Sequence, residues 1–234
     1  MCGISGIVNF KGSNGAALKL SNGVIRHRGP DDEGYLTWAP GNEMQLWAGS
    51  DTAPGSKDAL NLSVLPDDQL FKVGFGHRRL SIIDLSSAGH QPMVLHEAGL
   101  AICFNGEVYN YLEVKAELEA MGVRFHTKSD TEVILQAWHH WGDGALQKFN
   151  GMFAFLMLDS KRQLLYAVRD RFGVKPLYYT HTSGYLAFGS EVKQLRTLPA
   201  YQFKLNEKIA YQYLCYSHID HDSETFEEGV MQVR

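Results

Sequence analysis

Apolar residues recur along this chain in short blocks, most at the two-residue period of strands and a few at helical spacing. Ile4–Phe10 is a compact apolar strand, and Ala16–Ile25 can form a helix that ends before the polar turn HRGPDDEG. Gly34–Trp38, Met44–Ala48 and Val73–Ile83 read as strands. Between the last two, SDTAPGSKDALNLSVLPDD carries enough Ser, Pro, Gly and Asp to read as a surface loop or lid. Leu100–Phe104 is a strand that runs into a turn, NGEVYN. In the helix that follows, Tyr111, Val114, Leu118 and Met121 keep helical spacing, and Gly122 supplies the stop.

Val123–Thr127 is a further short strand by pattern. KSDTEVILQAWHHWG then opens a helix with Ser129 three residues before Glu132, the spacing of a capping box. Its buried stripe is Val133, Ile134, Ala137, Trp138 and Trp141. From Met152 four strands follow, MFAFLMLD, QLLYAVRD, PLYYTHT and YLAFGSE, and EVKQLRTL closes them as a helix. Strands at both ends of the chain, with two helices grouped between them, predict two sheets with helices on their outer faces. That is an α+β layered sandwich. The division expected is a domain over 2–200 and an extension over 201–234. In that extension NEKIAYQYLCYSH can be a short amphipathic helix, and HIDHDSETFEEGVMQVR has no evident partner. The whole reads as a domain cut from a longer polypeptide.

Composition narrows the function classes. A hydrophobic content of 44% and a charged content of 21% are ordinary for a soluble globular protein. The formal net charge of −4 gives no electrostatic reason to expect nucleic acid or an anionic membrane surface. No apolar run approaches the ~20 residues of a membrane helix, and no signal peptide is evident. Three cysteines without a CxxC argue against a disulfide framework or a zinc site and fit a reducing, cytoplasmic setting. HIDHD (His218 to Asp222) has metal-ligand residue types, but without a distant further ligand it reads as a solvated polar stretch, so no metal is expected.

Candidate chemistry starts at Cys2. Removal of Met1 would leave an α-amine and a thiol on one residue. The amine, with a pKa of ~7.7–8.0 against ~8.5 for the thiol, can take the thiol proton directly or through one water. One residue would then be nucleophile and base together. The competing reading is a small apolar residue at the start of a strand. Asn105 and Gly106 follow the strand AICF and could offer a side-chain amide and a backbone N–H to an oxyanion, or they could be an ordinary NG turn. Arg79 at a strand end and Asp130 at a helix start suit the α-carboxylate and α-ammonium of an amino acid. Asp130 is equally favourable there as a helix-start acid, and Arg79 as a solvated strand-edge charge.

Taken together, MCGISGIV, RHRGPDDEG, GHRRLSIIDLSSAGHQPM, FNGEVYNY, KSDTEVIL, NGMFAF, RDRFGVKPLYY and FGSEVKQL resemble, in order, the glutaminase domain of class II glutamine amidotransferases, as found in glutamine-hydrolysing asparagine synthetases. The resemblance runs from Met1 to about Leu198. It implies the four-layer αββα sandwich of N-terminal nucleophile hydrolases and hydrolysis of the glutamine side-chain amide through a γ-glutamyl thioester on Cys2. Asn105 and Gly106 match the oxyanion-hole positions, Arg79 the α-carboxylate site and Asp130 the α-ammonium site. Leu80, Ser81, Ile82, Ile83 and Glu107 match further glutamine contacts, and Arg28 an arginine near the nucleophile. No cofactor is implied for this domain. ATP and Mg are implied only for a C-terminal synthetase domain of the same polypeptide, whose SGG-type loop is absent here, as is any GxxxxGK. The partners implied are glutamine and that synthetase domain, with a homodimer left open and neither nucleic acid nor membrane expected. The acceptor would be aspartate or, as in relatives with the same N-terminal domain, another carboxylate such as a sugar acid. A long insertion over roughly Pro40 to Leu70 is unusual for a compact domain and could be a lid, a subunit contact or a dock.

Overall fold

The computed structural model describes residues 1–10, 14–82, 84, 86–199, 201–219 and 222–234. One sheet runs, edge to edge, Val230–Gln232 (β11), Tyr178–His181 (β9), Tyr185–Gly189 (β10), Gly3–Asn9 (β1), Val73–Arg79 (β4), Asp32–Trp38 (β2) and Gln45–Ala48 (β3). The other runs Met93–Leu95 (β5), Leu100–Val108 (β6), Gly151–Asp159 (β7) and Leu164–Arg169 (β8). Each pairing is antiparallel. Helices α1 (Gly15–Gly23) and α5 (Val192–Leu195) pack on the first sheet, and α3 (Tyr111–Ala120) and α4 (Asp130–Trp141) on the second. The layers are therefore α, β, β, α, as expected.

Strand periodicity assigns each side chain to a layer. Ile4, Leu36 and Phe75 of the first sheet meet Ala101, Cys103, Ala154 and Leu156 of the second between the sheets. Their neighbours Ile7 and Tyr35 face α1 and α5, against Leu18 and Leu195. Ile102, Phe104, Phe153 and Phe155 face α3 and α4, against Val114, Leu118, Val133, Ile134 and Trp138. Trp138 meets Phe155 edge to face at 5.9 Å. Each aliphatic side chain fully buried in these layers contributes about 1.5–3 kcal/mol. Strand β1 is covered on both faces, which is why its sequence reads as nearly continuous apolar text.

Six local expectations are corrected. NGEVYN is not a turn at its start: β6 runs on through Asn105, Gly106 and Glu107, paired with Ala154, Phe153 and Met152 of β7. Sheet pairing overrides the NG turn preference. Strand β4 stops at Arg79 rather than Ile83. Residues 123–127 form no strand, because the N–H groups of His126 and Thr127 are taken by the Glu132 carboxylate (His126 at 2.9 Å to Oε1). Glu132 thereby leaves the capping box half-made, while Ser129 caps α4 by accepting from Thr131 N at 3.1 Å.

The stretch read as a loop or lid is moored to the core instead. It contains α2 (Pro54–Ala59), and Leu62 and Leu65 are buried. Asp32 accepts from Ala53 N at 2.8 Å and from Ser56 Oγ at 2.9 Å, and Glu33 accepts from Asp51 N at 2.9 Å. Glu33 in turn pairs with Arg78 at 2.8 Å, both side chains being buried. The helix expected in the extension is α6 (Glu207–Tyr216), but the stretch 218–234, expected to lack a partner, returns so that β11 pairs with β9, Val230 against Thr180. A three-residue strand is too short for its period to be read from sequence.

Candidate active site

Four elements end at, or run through, one cleft of about 110 Å³. Cys2 immediately precedes β1, Arg79 is the last residue of β4, Asn105–Glu107 lie within β6, and Asp130 opens α4. All of them line the cleft, together with Met1, Leu80 and Ile82.

The register of β6 explains what it offers. Tyr109 N donates to Asn150 O at 2.8 Å, so odd-numbered residues of β6 turn their backbone groups toward β7. Even-numbered residues therefore turn theirs to the opposite edge, which β5 covers only as far as the pairing of Met93 with Ile102. Beyond it, Phe104 N donates to Gln91 Oε1 at 2.7 Å and Val108 N to Asp130 Oδ2 at 3.1 Å. Between these two occupied positions the Gly106 N–H faces the cleft. The Asn105 Nδ2, buried and without a hydrogen-bond partner among the described residues, is the second free donor. A buried donor without a partner costs about 1–3 kcal/mol, which a substrate oxygen would relieve. Glycine is required at 106 by packing: a Cβ there would lie 2.3 Å from the Met152 carbonyl oxygen. The strand behind it, rather than the substrate in front of it, excludes a side chain.

The Cys2 Sγ accepts from Leu80 N at 3.4 Å and lies 3.6 Å from Leu80 O. Burial pushes its thiol above the ordinary value. The Leu80 N–H, the terminal ammonium and Arg79 pull it down, and Asp130 pushes it up. Arg28 does not line the cleft but fixes the Cys2 backbone, with Nε donating to Cys2 O at 2.9 Å. Its Nη1 pairs with Glu191 at 3.1 Å. Against burial, bonds from Lys193, Arg28 and His27 hold the Glu191 carboxyl down to about 2.

In the same cleft, Arg79 is only 7% exposed and forms no ion pair among the described residues. Its guanidinium donates to the carbonyls of Ser86, at 2.9 Å, and Asp84. Asp130 is 4% exposed and likewise has no charged partner there. Burial raises its carboxyl to about 6, against the N–H groups of Val108 and Thr131, with Glu107 adding to the rise. Buried Arg79 and Asp130, neither in an ion pair among the described residues, face the same small cleft, with the buried Lys175 as a second cation in its lining. A zwitterion answers both.

The family model of the glutamine amidotransferase domain matches residues 65–234. The chain belongs to that family. Among curated relatives of this amidotransferase domain, it is 36% identical over 228 residues to asparagine synthetase [glutamine-hydrolyzing] 1 of Bacillus subtilis (strain 168), covering 95% of this chain and 31% of that protein. It is 34% identical over 246 residues to amidase chry2 of Gibberella zeae, covering 100% of this chain and 31% of that one. The chain thus spans about a third of the length of the curated relatives it matches. Among solved structures, a glutamine phosphoribosylpyrophosphate amidotransferase from B. subtilis superposes with a TM-score of 0.68 over 84% of this chain and 43% of that one. At 21% identity that likeness speaks for the fold.

Within this amidotransferase domain, Leu80 and Ile82 line the cleft and Glu107 stands exposed at its rim. Ser81 is not among the lining residues, and its N–H donates to Asp31 at 2.8 Å. Ile83 lies outside the described residues, as do Asp220 and His221 of HIDHD. Among the described residues no group of three or more His, Cys, Asp or Glu is placed to hold a metal, and no helix is long and apolar enough to cross a membrane. Pattern reasoning missed Gly89, Gln91 and Lys175. A Cβ on Gly89 would lie 2.1 Å from Arg79 Nη2, so this glycine makes room for the guanidinium. Lys175 is buried and lines the cleft, its backbone N–H held by Asp170 at 2.9 Å. Gly89 and Gln91 stood within a recognised motif, but what they touch is set by the chain's return to β4 and α4.

Proposed function

We propose that this domain hydrolyses the side-chain amide of glutamine at Cys2 and releases ammonia. The observation that carries this is the uncompensated pair Arg79 and Asp130 in the same cleft as a cysteine and two free N–H donors. Arg79 would take the α-carboxylate and Asp130 the α-ammonium. Loss of Met1 frees the Cys2 amine and also clears the cleft, since Met1 lines it.

The sulfur then bonds to the amide carbon while the thiol proton passes to the Cys2 amine. The oxygen, now carrying the negative charge, sits between Asn105 Nδ2 and Gly106 N–H. The C–N bond breaks, the protonated amine returns its proton to the departing nitrogen, and ammonia leaves. Water adds to the thioester, the C–S bond breaks with return of a proton to sulfur, and glutamate is released. A thiol, an amine and two donors suffice, so the step needs no cofactor. With Met1 in place the amine is tied up in an amide, and the domain would bind glutamine without turnover.

In the longer polypeptide, ATP, Mg and the acceptor would belong to the C-terminal synthetase domain. Aspartate is the acceptor we favour, on the names of the relatives. The relative from Gibberella zeae, covered to the same extent and named an amidase rather than an asparagine synthetase, keeps a second reading in view, in which the acceptor is a carboxylate other than aspartate. The test is glutamate release from glutamine by folded protein shown by mass to lack Met1. No release under those conditions would overturn the proposal.

A further inference from the structure

Where β5 stops, the backbone of β6 just before the free donors is gripped by two side chains. The Phe104 carbonyl accepts from His77 Nε2 at 2.9 Å, and the Phe104 N–H donates to Gln91 Oε1 at 2.7 Å. His77 belongs to β4 of the opposite sheet and is fully buried, so its bond crosses the space between the sheets two residues before Arg79. Gln91 continues the grip, donating through Nε2 to Thr131 Oγ1 at 3.2 Å, next to Asp130. Both ends of its amide are thus used within the protein. Two of the three outward-facing backbone positions beyond β5, Phe104 and Val108, are tied down, and Gly106 is suspended between them.

Resting on the glutaminase reading above, we propose that His77 and Gln91 are positioning residues that hold the open edge of β6 so that Gly106 N–H and Asn105 Nδ2 converge on the reacting carbonyl. Neither residue needs to touch the reacting atoms. Because a carbonyl is its partner, Nε2 carries the ring proton, and the buried Nδ1 has no partner among the described residues. Burial holds the imidazole down to about 3, against the Phe104 bond, with His90 and Arg79 lowering it further and Asp32 raising it. The ring is therefore neutral throughout the working pH range, which suits a fixed strut.

Four variants of the Met1-trimmed chain test this. His77→Leu fills the site without a donor, and His77→Gln restores an N–H of similar reach. Gln91→Met and Gln91→Glu do the same for the second arm, since a carboxylate can accept from both Phe104 N–H and the Thr131 hydroxyl. Misaimed donors should lower kcat for glutamine about 10- to 100-fold in His77→Leu and Gln91→Met, less than deletion of a donor, while KM stays within about twofold. His77→Gln and Gln91→Glu should recover most of the rate. In the three uncharged variants the shape of the pH profile and the rate of Cys2 alkylation by iodoacetamide should not change, because neither depends on the oxyanion donors. Independently of turnover, hydrogen exchange at residues 104–108 should quicken in the two apolar variants and return in the two polar ones. An unchanged kcat in an active enzyme, or unchanged exchange, would overturn the proposal, as would a parallel fall in kcat, KM and alkylation rate. If His77→Leu does not fold, Gln91→Met is judged by the same readouts. A wild-type protein without glutaminase activity would sink the function reading instead, with exchange still deciding the strut.

Discussion

Around Cys2, position is set largely by backbone: Gly106 N–H by the register of β6 and Sγ by Leu80 N–H, with the Arg28 side chain holding the Cys2 carbonyl and Asn105 adding a side-chain donor. In the same cleft two buried side-chain charges, Arg79 and Asp130, do the work. The first arrangement is set by backbone geometry, although the Cys2 thiol itself titrates and feels both Arg79 and Asp130. The second is electrostatic and costly when empty, since each ion is desolvated without a counter-charge. The consequence is a division of labour: damage at the Cys2 end should appear in kcat, and damage at the charged end in KM.

The sharpest break is Cys2→Ala. It should abolish glutamate release and leave glutamine binding measurable by calorimetry, because the charged end is untouched. A variant that neither binds nor folds would mean that Cys2 is a packing residue and that the two ends are not separable. Next in size is Asn105→Ala, which should lower kcat by ~10²–10³ with little change in KM, the usual cost of one oxyanion donor. If KM moved and kcat did not, Asn105 would belong to the binding end.

Asp130→Asn should do the converse. It exchanges a charge-assisted contact to the α-ammonium for a neutral one, so KM should rise roughly 10- to 100-fold with kcat largely preserved at saturation. Arg79→Lys tests the same end from the other side. Lysine keeps the charge but not the planar fork that also holds Ser86 O and Asp84 O, so a similar rise in KM is expected. Equal losses of kcat in either variant, measured by steady-state kinetics, would erase the distinction between the ends.

Much of this cleft was legible in the sequence because its residues sit at ends of elements, where patterns stop: Cys2 before β1, Arg79 at the end of β4, Asp130 at the start of α4. The fold class was legible for the same reason, since strand and helix periods survive wherever one face is buried. What could not be read depends on partners far along the chain. Gly106 is small because of Met152, and β6 continues through Asn105 because β7 pairs with it residue for residue. In RGPDDEG three consecutive acids looked like one polar turn. Each ties down a different segment: Asp31 the Ser81 N–H, Asp32 the start of α2 and His90, Glu33 the Arg78 guanidinium and Asp51. The bonds from Asp32 and Glu33 moor the long insertion, one reading of which was a lid, to strand β2. Glu132 was placed correctly on α4 but spends its carboxylate on His126 and Thr127, so the strand predicted before it never forms.

The smallest effect expected is also the one that best separates the two ends. Asp130 has its carboxyl raised to about 6 from an ordinary 3.8, chiefly by burial. Glutamine needs this group ionised, so KM should climb about tenfold per pH unit as pH falls below 6. Over the same interval the Cys2 end should add no KM change of its own. The stability of the empty protein must move the other way. A carboxyl that holds its proton more tightly folded than unfolded contributes stability that is fully present below about pH 4 and is lost as pH rises through about 6. Asp130→Asn removes this dependence, so the difference in Tm between variant and wild type should grow from pH 4 to pH 7 in favour of the variant. Saturating glutamine should shrink that difference at pH 7, because the bound ammonium supplies the missing counter-charge. A Tm difference that stays flat across this range would show that Asp130 already has its partner without substrate, and the contrast between a geometric end and an electrostatic end would fail.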